Sequence, residues 1–172
     1  MNRLKLFIPL MLFVVLAVFL GLGLGKDPSY LPSALIDKPV PEFTLPDLYD
    51  AEHMISDKEL RGEPYLINIW ATWCPSCRVE HPFLNKLSEQ GVKIVGLNYK
   101  DERGPALEWL KNFSDPYQVS IADKSGRLGL DLGVYGAPET FVVDAQGIIR
   151  YKHVGVVDER VWRSKLAPIY NQ

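Results

Sequence analysis

The sequence predicts an α/β fold, a central mixed β-sheet flanked by helices, with an N-terminal transmembrane helix in front of it. Apolar runs at Tyr65–Ala71 and Val92–Asn98 suit buried strands, and the segment between them has helical periodicity. That order predicts a β-α-β unit with parallel strands and a right-handed crossover. Two further strand-like segments are separated only by Ala145-Gln146-Gly147, which predicts an antiparallel hairpin. The uncharged run of 20 residues at Leu6–Gly25 is long enough to cross a hydrocarbon core as a helix.

Residues 1–25 are predicted to form a cytoplasmic N-terminus and a retained transmembrane anchor. Arg3 and Lys5 precede the apolar run, and the positive-inside tendency keeps such an N-terminus in the cytoplasm. The alternative is a cleaved secretory signal, because small-x-small triplets such as Gly23-Leu24-Gly25 lie at the end of the run. Signal peptides usually have apolar regions of only about 7–15 residues, which favours the anchor. Both interpretations place the rest of the chain outside the cytoplasm.

The exported part is predicted to consist of a linker and one globular domain. Residues 26–40 contain Pro28, Pro32 and Pro39 without clear periodicity, which indicates a linker, and residues 41–172 form the domain. Without Arg3 and Lys5, the 19 basic residues fall to 17, against 21 acidic ones, so the exported part has a net charge of −4. A nucleic-acid partner would call for a basic face, and the charge argues against one.

The other elements of the domain follow from local patterns. Alternating apolar and polar residues at Pro41–Pro46 predict a short edge strand. The helix after the first buried strand spans about Pro75–Gln90, because proline suits a first turn and Gly91 can end the helix. A last helix begins near Asp158, a good N-cap. The remaining predicted elements are a helix at Pro105–Phe113, a strand at Val119–Ala122, a short helix at Leu128–Leu132, and the hairpin strands Thr140–Asp144 and Ile148–His153.

The chain has only two cysteines, and they form the motif Cys74-Pro75-Ser76-Cys77 between the first buried strand and the helix that follows it. Two intervening residues let the first helical turn bring both sulfurs within bonding distance, so the pair can cycle between dithiol and disulfide. Cys74 then lies at the helix N-terminus, where the partial positive charge of the helix end favours the nucleophilic thiolate. We expect Cys74, the more exposed of the two, to attack disulfides and the buried Cys77 to resolve the mixed disulfide.

Two other interpretations of this motif are weaker. A tetrahedral zinc site needs four ligands, and the chain has no second cysteine pair. A purely structural disulfide across so short a loop would remove little chain entropy. We therefore predict a redox-active disulfide without a metal or an organic cofactor, and we expect Trp73 to shield it and to shape the substrate groove.

Two segments make the chain resemble a known family. Trp70-Ala71-Thr72-Trp73-Cys74-Pro75-Ser76-Cys77-Arg78-Val79-Glu80 and Gly133-Val134-Tyr135-Gly136-Ala137-Pro138-Glu139-Thr140-Phe141 closely resemble the CcmG/DsbE family. These are membrane-tethered, thioredoxin-like periplasmic proteins of cytochrome c maturation. Gly96-Leu97-Asn98-Tyr99-Lys100-Asp101 also looks like a segment in which that family carries a characteristic insertion. The resemblance implies a thioredoxin-like fold and a single-pass protein of the bacterial inner membrane with its domain in the periplasm.

The resemblance also implies roles for four further residues. Ala137-Pro138 resembles the cis-proline dipeptide that faces the redox motif in thioredoxin-like folds, where a cis bond would expose the backbone of Ala137 to a substrate peptide. Asn68 stands where thioredoxin would have a buried aspartate, and an amide cannot act as a general base. Glu80 and Glu139, acidic positions that mark the family, are therefore the acid–base candidates. Nearby carboxylates would raise the pKa of the thiols, which predicts a reductant rather than an oxidant.

The predicted function is that of a periplasmic thiol:disulfide oxidoreductase that acts as a reductant. The family implies that its target is the disulfide of the haem-binding cysteines of apocytochrome c, or a thiol protein of the same maturation pathway. It further implies a transmembrane electron donor of the DsbD/CcdA type. One alternative is a TlpA/ResA-like reductase for another exported target, such as a copper-site assembly factor. Another is a non-enzymatic chaperone that binds Cu(I) through the two thiolates.

Overall fold

The computed structural model describes the backbone of residues 4–24 and 33–172, and the side chains of residues 7–22 and 33–172. The chain divides into two units, Met1–Tyr30 and Leu31–Gln172. The first unit contains helix α1 at Leu4–Leu24. Among the described residues, no helix combines the length and the apolarity that crossing a membrane requires. Gly25, at the end of the predicted anchor, and residues 26–32 of the predicted linker lie outside the described residues.

The second unit is built on a five-stranded mixed sheet that consists of β3 (Tyr65–Trp70), β4 (Ile94–Tyr99), β5 (Val119–Asp123), β6 (Glu139–Val143) and β7 (Ile149–Val154). The strands lie in the order β5-β4-β3-β6-β7. Strands β3, β4 and β5 run parallel, while β6 pairs antiparallel with both β3 and β7. This arrangement contains the predicted β-α-β unit and the predicted hairpin.

Three helices connect the strands of this sheet. They are α2 (Pro75–Glu89), α3 (Arg103–Phe113) and α4 (Arg127–Asp131). Helix α3 begins two residues before its predicted start at Pro105, so that this proline lies in the first turn, where its missing N–H leaves no bond unmade.

The C-terminal segment differs from the single regular helix that the sequence predicts. It consists of α5 (Glu159–Val161), a π-helical turn (Trp162–Leu166) and α6 (Ala167–Tyr170). The backbone N–H of Ala167 bonds to the carbonyl of Trp162, five residues earlier. Pro168 follows directly and has no N–H to continue a regular ladder. The predicted N-cap is present, since Asp158 Oδ1 accepts from the N–H of Val161 at 2.7 Å.

A second, two-stranded sheet lies before β3. It pairs β1 (Thr44–Pro46) antiparallel with β2 (Met54–Ser56), which leads into a 3₁₀ turn at Asp57–Leu60. The strand predicted at Pro41–Pro46 is therefore shorter and belongs to this small sheet. A strand of three residues such as β2 is too short to produce a recognisable alternation in the sequence.

The last part of the predicted linker packs against the domain. The N–H of Asp37 bonds to the carbonyl of Ile149, and the N–H of Val40 bonds to the carbonyl of Gly147, at 2.8 and 2.9 Å. Leu35 packs on the core and Val40 is buried in it. The open edge of β7 supplies the backbone partners that order this segment, so the proline content alone was a poor guide to where the domain begins.

Each face of the five-stranded sheet carries its own apolar cluster. The cluster that includes α2 and α3 contains Trp70, Leu84 and Leu110 together with both cysteines. The other cluster contains Ile67, Leu97 and Phe141. The redox motif is thus anchored in the core on the α2 face, at the end of the central strand β3.

Candidate active site

Cys74 and Cys77 form a disulfide at the N-terminus of α2, with an S–S distance of 2.13 Å. Cys74 is the N-cap residue, and its Sγ accepts a hydrogen bond from the N–H of Cys77 at 3.1 Å. That N–H is one of the donors that a helix start leaves without a partner, and it would stabilise a thiolate at Cys74. The exposed fraction is 4% for Cys74 and 1% for Cys77. Cys74 is therefore the more exposed of the two cysteines, as expected, although it is itself mostly buried.

The loop from β3 to Cys74 is held by the segment that follows β4. Thr72 donates to Asp101 twice, from its backbone N–H to Oδ2 at 2.6 Å and from its hydroxyl to Oδ1 at 2.7 Å. The indole N–H of Trp73 donates to the carbonyl of Lys100 at 3.1 Å. Both residues that precede Cys74 are therefore tied to the same short loop.

The peptide bond between Ala137 and Pro138 is cis, as the family resemblance implies. It precedes β6, the antiparallel neighbour of β3, so the proline is positioned at the same end of the sheet as the redox motif. A groove of about 380 Å³ lies here, and its walls include Ser76 from the redox motif, Tyr135, Ala137 and Pro138. The groove therefore borders the redox motif at Ser76 and the cis-proline dipeptide at Ala137.

Two aromatic side chains of the segments around the redox motif and the cis proline, Tyr135 and Trp73, are exposed to solvent. Tyr135 is 73% exposed and lines the groove, and the Nζ of Lys152 lies 4.5 Å from the centre of its ring. Trp73 is 52% exposed, but it is not among the residues that line the groove. The expected contribution of Trp73 to the substrate groove stays a prediction.

Glu80 lies one helical turn after Cys77 and is buried. Residues three apart on a helix have Cβ atoms roughly 5–6 Å apart, so Glu80 and Cys77 lie on the same side of α2. Glu80 Oε1 accepts from the Asn68 amide at 2.9 Å, and Oε2 accepts from the N–H of Val157 at 2.9 Å. Burial raises the pKa of Glu80 to about 7, despite these two hydrogen bonds, which lower it. Glu80 can therefore exchange a proton near neutral pH.

Asn68 is fixed in one orientation by the side chains around it. The Tyr117 hydroxyl donates to Asn68 Oδ1 at 2.9 Å, which turns the amide nitrogen toward Glu80 and toward Thr140 Oγ1, 3.1 Å away. Gly96 in β4 makes room for Tyr117, since a Cβ at that position would lie 2.7 Å from the tyrosine ring. Desolvation, followed by the nearby Glu80 charge, raises the pKa of Tyr117 well above its ordinary value. Tyr117 thus remains a hydrogen-bond donor, and the amide serves to hold Glu80.

Glu139 has a different environment. Its Oε2 lies 2.9 Å from the Nζ of Lys152, and both side chains are buried. Its Oε1 accepts from the backbone N–H of Tyr135 at 2.9 Å, while Lys152 also donates to the carbonyl of Gly133 at 2.7 Å. The ion pair pins the loop that carries Tyr135 and the cis proline. Of the two predicted acid–base candidates, the structure places Glu80 one helical turn after Cys77 and gives Glu139 a countercharge.

The sequence did not reveal three of these partners. Lys152 lies in a predicted hairpin strand of mixed polarity, Ile149–Val154, so its burial against Glu139 has no local signal. Asp101 lies in the family-like segment Gly96–Asp101, but its bond to Thr72 joins residues 29 positions apart. Tyr117 had no local signal at all. Within residues 33–172, no group of three or more histidine, cysteine, aspartate or glutamate side chains is arranged to hold a metal ion.

Comparisons with known proteins agree with this geometry. The Redoxin family matches residues 36–168. The thiol:disulfide interchange protein DsbE of Pseudomonas aeruginosa is 58% identical over 172 residues, covering 100% of this chain and 96% of that protein. The protein of the same name from Escherichia coli K12 is 49% identical over 178 residues, with coverage of 100% and 96%.

The fold has counterparts among solved structures. A secreted thiol-disulfide isomerase from Corynebacterium glutamicum superposes with a TM-score of 0.69 at 22% identity, over 86% of this chain and 96% of that one. At this identity the match confirms the predicted thioredoxin-like fold and nothing beyond it. The relatives that align over the full chain decide the family. This chain belongs to the DsbE family of thiol:disulfide interchange proteins.

Proposed function

We propose that this protein is a thiol:disulfide oxidoreductase that acts as a reductant in cytochrome c maturation. The observation that carries the proposal is the Cys74–Cys77 disulfide at the start of α2, next to a groove walled by cis-Pro138. The full-length likeness to proteins named DsbE supports the activity. The role in cytochrome c maturation comes from the resemblance of the two motif segments to that family.

The reaction begins with the dithiol form of the pair. The Cys74 thiolate attacks one sulfur of the target disulfide, which forms a mixed disulfide and releases the first target thiolate. The Cys77 thiolate then attacks Cys74 Sγ, closes the intramolecular disulfide and releases the second target thiolate. Two electrons pass to the target, and the two protons of the dithiol pass to the two thiolates that leave. The disulfide form seen here is the product of this step and needs two electrons from a donor.

We assign to Glu80 the role of accepting the proton of the Cys77 thiol. Its carboxyl is a helical neighbour of that thiol, and its pKa of about 7 lets it take up the proton near neutral pH. Its negative charge also disfavours a thiolate at the pair, which makes the reduced form less stable and the protein a better reductant. Glu139 contributes less to this effect, because Lys152 offsets its charge.

We also propose the partners and the location. The target is the disulfide of the haem-binding cysteines of apocytochrome c or a thiol protein of its maturation, and the electron donor is a transmembrane protein of the DsbD/CcdA type. The domain lies in the periplasm, and the anchor predicted at residues 1–25 holds it on the bacterial inner membrane in a single pass. The uncharged run at Leu6–Gly25 after Arg3 and Lys5 supports that location. Protease added to spheroplasts should degrade the domain, whereas a protected domain would contradict a periplasmic location.

Trapping of the mixed disulfide tests the function directly. A Cys77→Ala variant retains the attacking thiol and lacks the resolving one, so it should accumulate as a disulfide-linked complex with its target in intact cells. Mass spectrometry should identify an apocytochrome c or a thiol protein of its maturation. The matched control is Cys74→Ala, which keeps only the buried Cys77 thiol. It should trap neither an apocytochrome c nor a thiol protein of its maturation.

Three outcomes would contradict the proposal. If the trapped partner is a copper-site assembly factor and c-type cytochromes persist after deletion of the gene, the protein is a TlpA/ResA-like reductase. If the reduced protein binds Cu(I) tightly and traps no protein, it is a copper chaperone. A pair that stays oxidised in cells, with or without a transmembrane donor, would refute the reductant role.

A further inference from the structure

We propose that Asp101 is a positioning residue of the redox site, which fixes the loop leading into Cys74 and whose charge disfavours the Cys74 thiolate. The inference rests on the proposed thiol–disulfide exchange and extends it to a residue outside the redox motif. Asp101 lies in the segment between β4 and α3, the part of the chain that the exchange chemistry described above does not use.

The carboxylate of Asp101 accepts four hydrogen bonds. Two come from Thr72, at 2.6 Å from its N–H and 2.7 Å from its hydroxyl. The other two come from the Asn98 amide at 3.0 Å and from the backbone N–H of Glu102 at 2.9 Å. Asn98 in β4 and the start of α3 thus orient the carboxylate, and Thr72 is the part of the redox loop that it holds.

A second contact ties the same two loops together. The Trp73 indole donates to the carbonyl of Lys100, the residue immediately before Asp101. Lys100 adopts a positive φ of 49°, and its backbone N–H bonds to the carbonyl of Asp123 at 3.0 Å. A non-glycine residue in this conformation is held there by its surroundings. The loop after β4 is therefore a fixed support for Thr72 and Trp73, the two residues that precede the nucleophile.

The position of the carboxylate also gives it an electrostatic effect on Cys74. Two residues span at most about 7 Å, so a carboxylate bonded to Thr72 lies within roughly 10 Å of the Cys74 backbone. At that distance, and at an effective dielectric constant between the protein and water values, a unit charge changes a pKa by about 0.3–1 unit. The effect has the same sign as that of Glu80, since both anions disfavour a thiolate.

Other charged groups surround the redox motif and must be kept constant in a test. Arg78, Glu80 and His81 lie on α2, Lys100 lies on the β4–α3 loop, and the Glu139–Lys152 pair lies beside the cis proline. None of these is changed by a substitution at Asp101.

The test compares Asp101→Asn with Glu102→Gln in the full chain, reduced and kept in mild detergent. The pKa of Cys74 is measured from the pH dependence of its alkylation by iodoacetamide. For Asp101→Asn we expect it to fall by about 0.3–1 unit, with roughly two- to tenfold faster alkylation at pH 7. Glu102→Gln is the matched control, because this neighbouring carboxylate is exposed and pairs with Lys124 at 3.0 Å. It should leave the pKa of Cys74 unchanged.

A second pair of variants tests whether Asp101 positions the loop that leads into Cys74. This pair also provides the test if the Asp101→Asn variant does not fold. Thr72→Ser keeps the hydroxyl that donates to Asp101, whereas Thr72→Val removes it and keeps the shape. The rate constant of the Cys74 thiolate with glutathione disulfide should match the wild type in Thr72→Ser and fall at least threefold in Thr72→Val. A purely structural contact would lower the melting temperature without moving either readout.

Three results would overturn the inference. They are an unchanged pKa of Cys74 in Asp101→Asn, an equal shift in Glu102→Gln, and equal rate constants for the two Thr72 variants. A wild-type Cys74 that does not react with glutathione disulfide would instead refute the proposed function, and this inference with it. The two failures are therefore distinguishable.

Discussion

At the scale of single residues, Glu80 couples the chemistry of the site to the stability of the domain. Its pKa is about 7 in the folded chain and 4.5 when exposed, so between these values the folded state binds more protons than the unfolded state. The free energy of unfolding must then fall as the pH rises from about 4.5 to 7. A shift of this size corresponds to roughly 3 kcal/mol.

The substitution Glu80→Gln should remove this pH dependence. We expect the loss of unfolding free energy between pH 5 and pH 8 to be smaller by roughly 2.5 kcal/mol than in the wild type. Urea unfolding of the oxidised protein, followed by tryptophan fluorescence across this range, measures it. Glu102→Gln is the control and should retain the wild-type slope. Identical slopes for Glu80→Gln and the wild type would show that Glu80 ionises with its ordinary pKa.

The Tyr117 hydroxyl should influence the pKa of Glu80 through Asn68, which forms a hydrogen bond with each of them. Tyr117→Phe leaves Asn68 Oδ1 without its donor, which should cost about 1–3 kcal/mol of stability. The amide is then free to turn its nitrogen away from Glu80, so the pKa of Glu80 should rise further. Carbon NMR of labelled glutamate side chains measures that pKa. The control is Tyr49→Phe, which removes an exposed hydroxyl bonded to Asp115. In this variant the pKa of Glu80 should stay near 7.

The residues of the site differ in how far the sequence reveals them. Cys74, Cys77 and Pro138 lie in short motifs whose spacing or neighbours already indicate their chemistry. Glu80 follows from helical spacing, because it lies one turn from Cys77. The supporting residues come from other elements of the fold, as Tyr117 does with Asn68, 49 positions away, and contacts between elements leave no mark in the local sequence.

At the scale of elements, strand β4 leaves space at Gly96 for the ring of Tyr117, which lies in the loop before β5. A Cβ on Gly96 would lie 2.7 Å from the tyrosine ring, so Gly96→Ala should destabilise the protein by about 1–3 kcal/mol. Gly104→Ala is the matched control, because nothing lies within 4 Å of a Cβ there and alanine favours a helix. Urea unfolding should show opposite signs for the two variants. A Gly96→Ala variant as stable as the wild type would mean that Tyr117 can move.

The hairpin of β6 and β7 depends on a buried ion pair. Glu139→Gln or Lys152→Met alone leaves one charge buried without its partner, which should cost about 3–5 kcal/mol. The double variant should be less destabilised than either single variant, because it buries no unpaired charge. A double-mutant cycle by urea unfolding measures this coupling. Simple additivity of the two losses would contradict a pair that stabilises the hairpin.

The elements that the sequence predicted correctly are those with long regular patterns. Strands β3 and β4 are continuous apolar runs, and α2 has a marked start and stop, so their existence and order were predictable. Strand β2 is defined only by its pairing with β1, and the π-helical turn depends on how the C-terminal segment packs before Pro168. Such features are decided by tertiary contacts, which outweigh local propensity.

At the scale of the whole molecule, the boundary between linker and domain lies closer to the N-terminus than the composition suggests. The segment at 33–40 donates and accepts backbone hydrogen bonds along the edge of β7, with Ile149 N–H bonding to the Lys38 carbonyl at 2.9 Å. It also covers part of the core with Leu35, Ile36 and Val40. An exposed strand edge invites pairing with other chains, and this segment closes part of it.

Truncation tests that boundary. A chain that begins at Ser33 should keep nearly the full stability of the domain, whereas one that begins at Pro41 loses Val40 from the core and the backbone bonds to β7. Burial of a valine side chain alone contributes about 1.5–3 kcal/mol, so we expect a loss of at least that size in urea unfolding. The shorter chain should also associate more readily, because the edge of β7 is uncovered, and light scattering measures this. Equal stability and equal monomer content for the two chains would place the boundary at residue 40 and make the segment a simple tether.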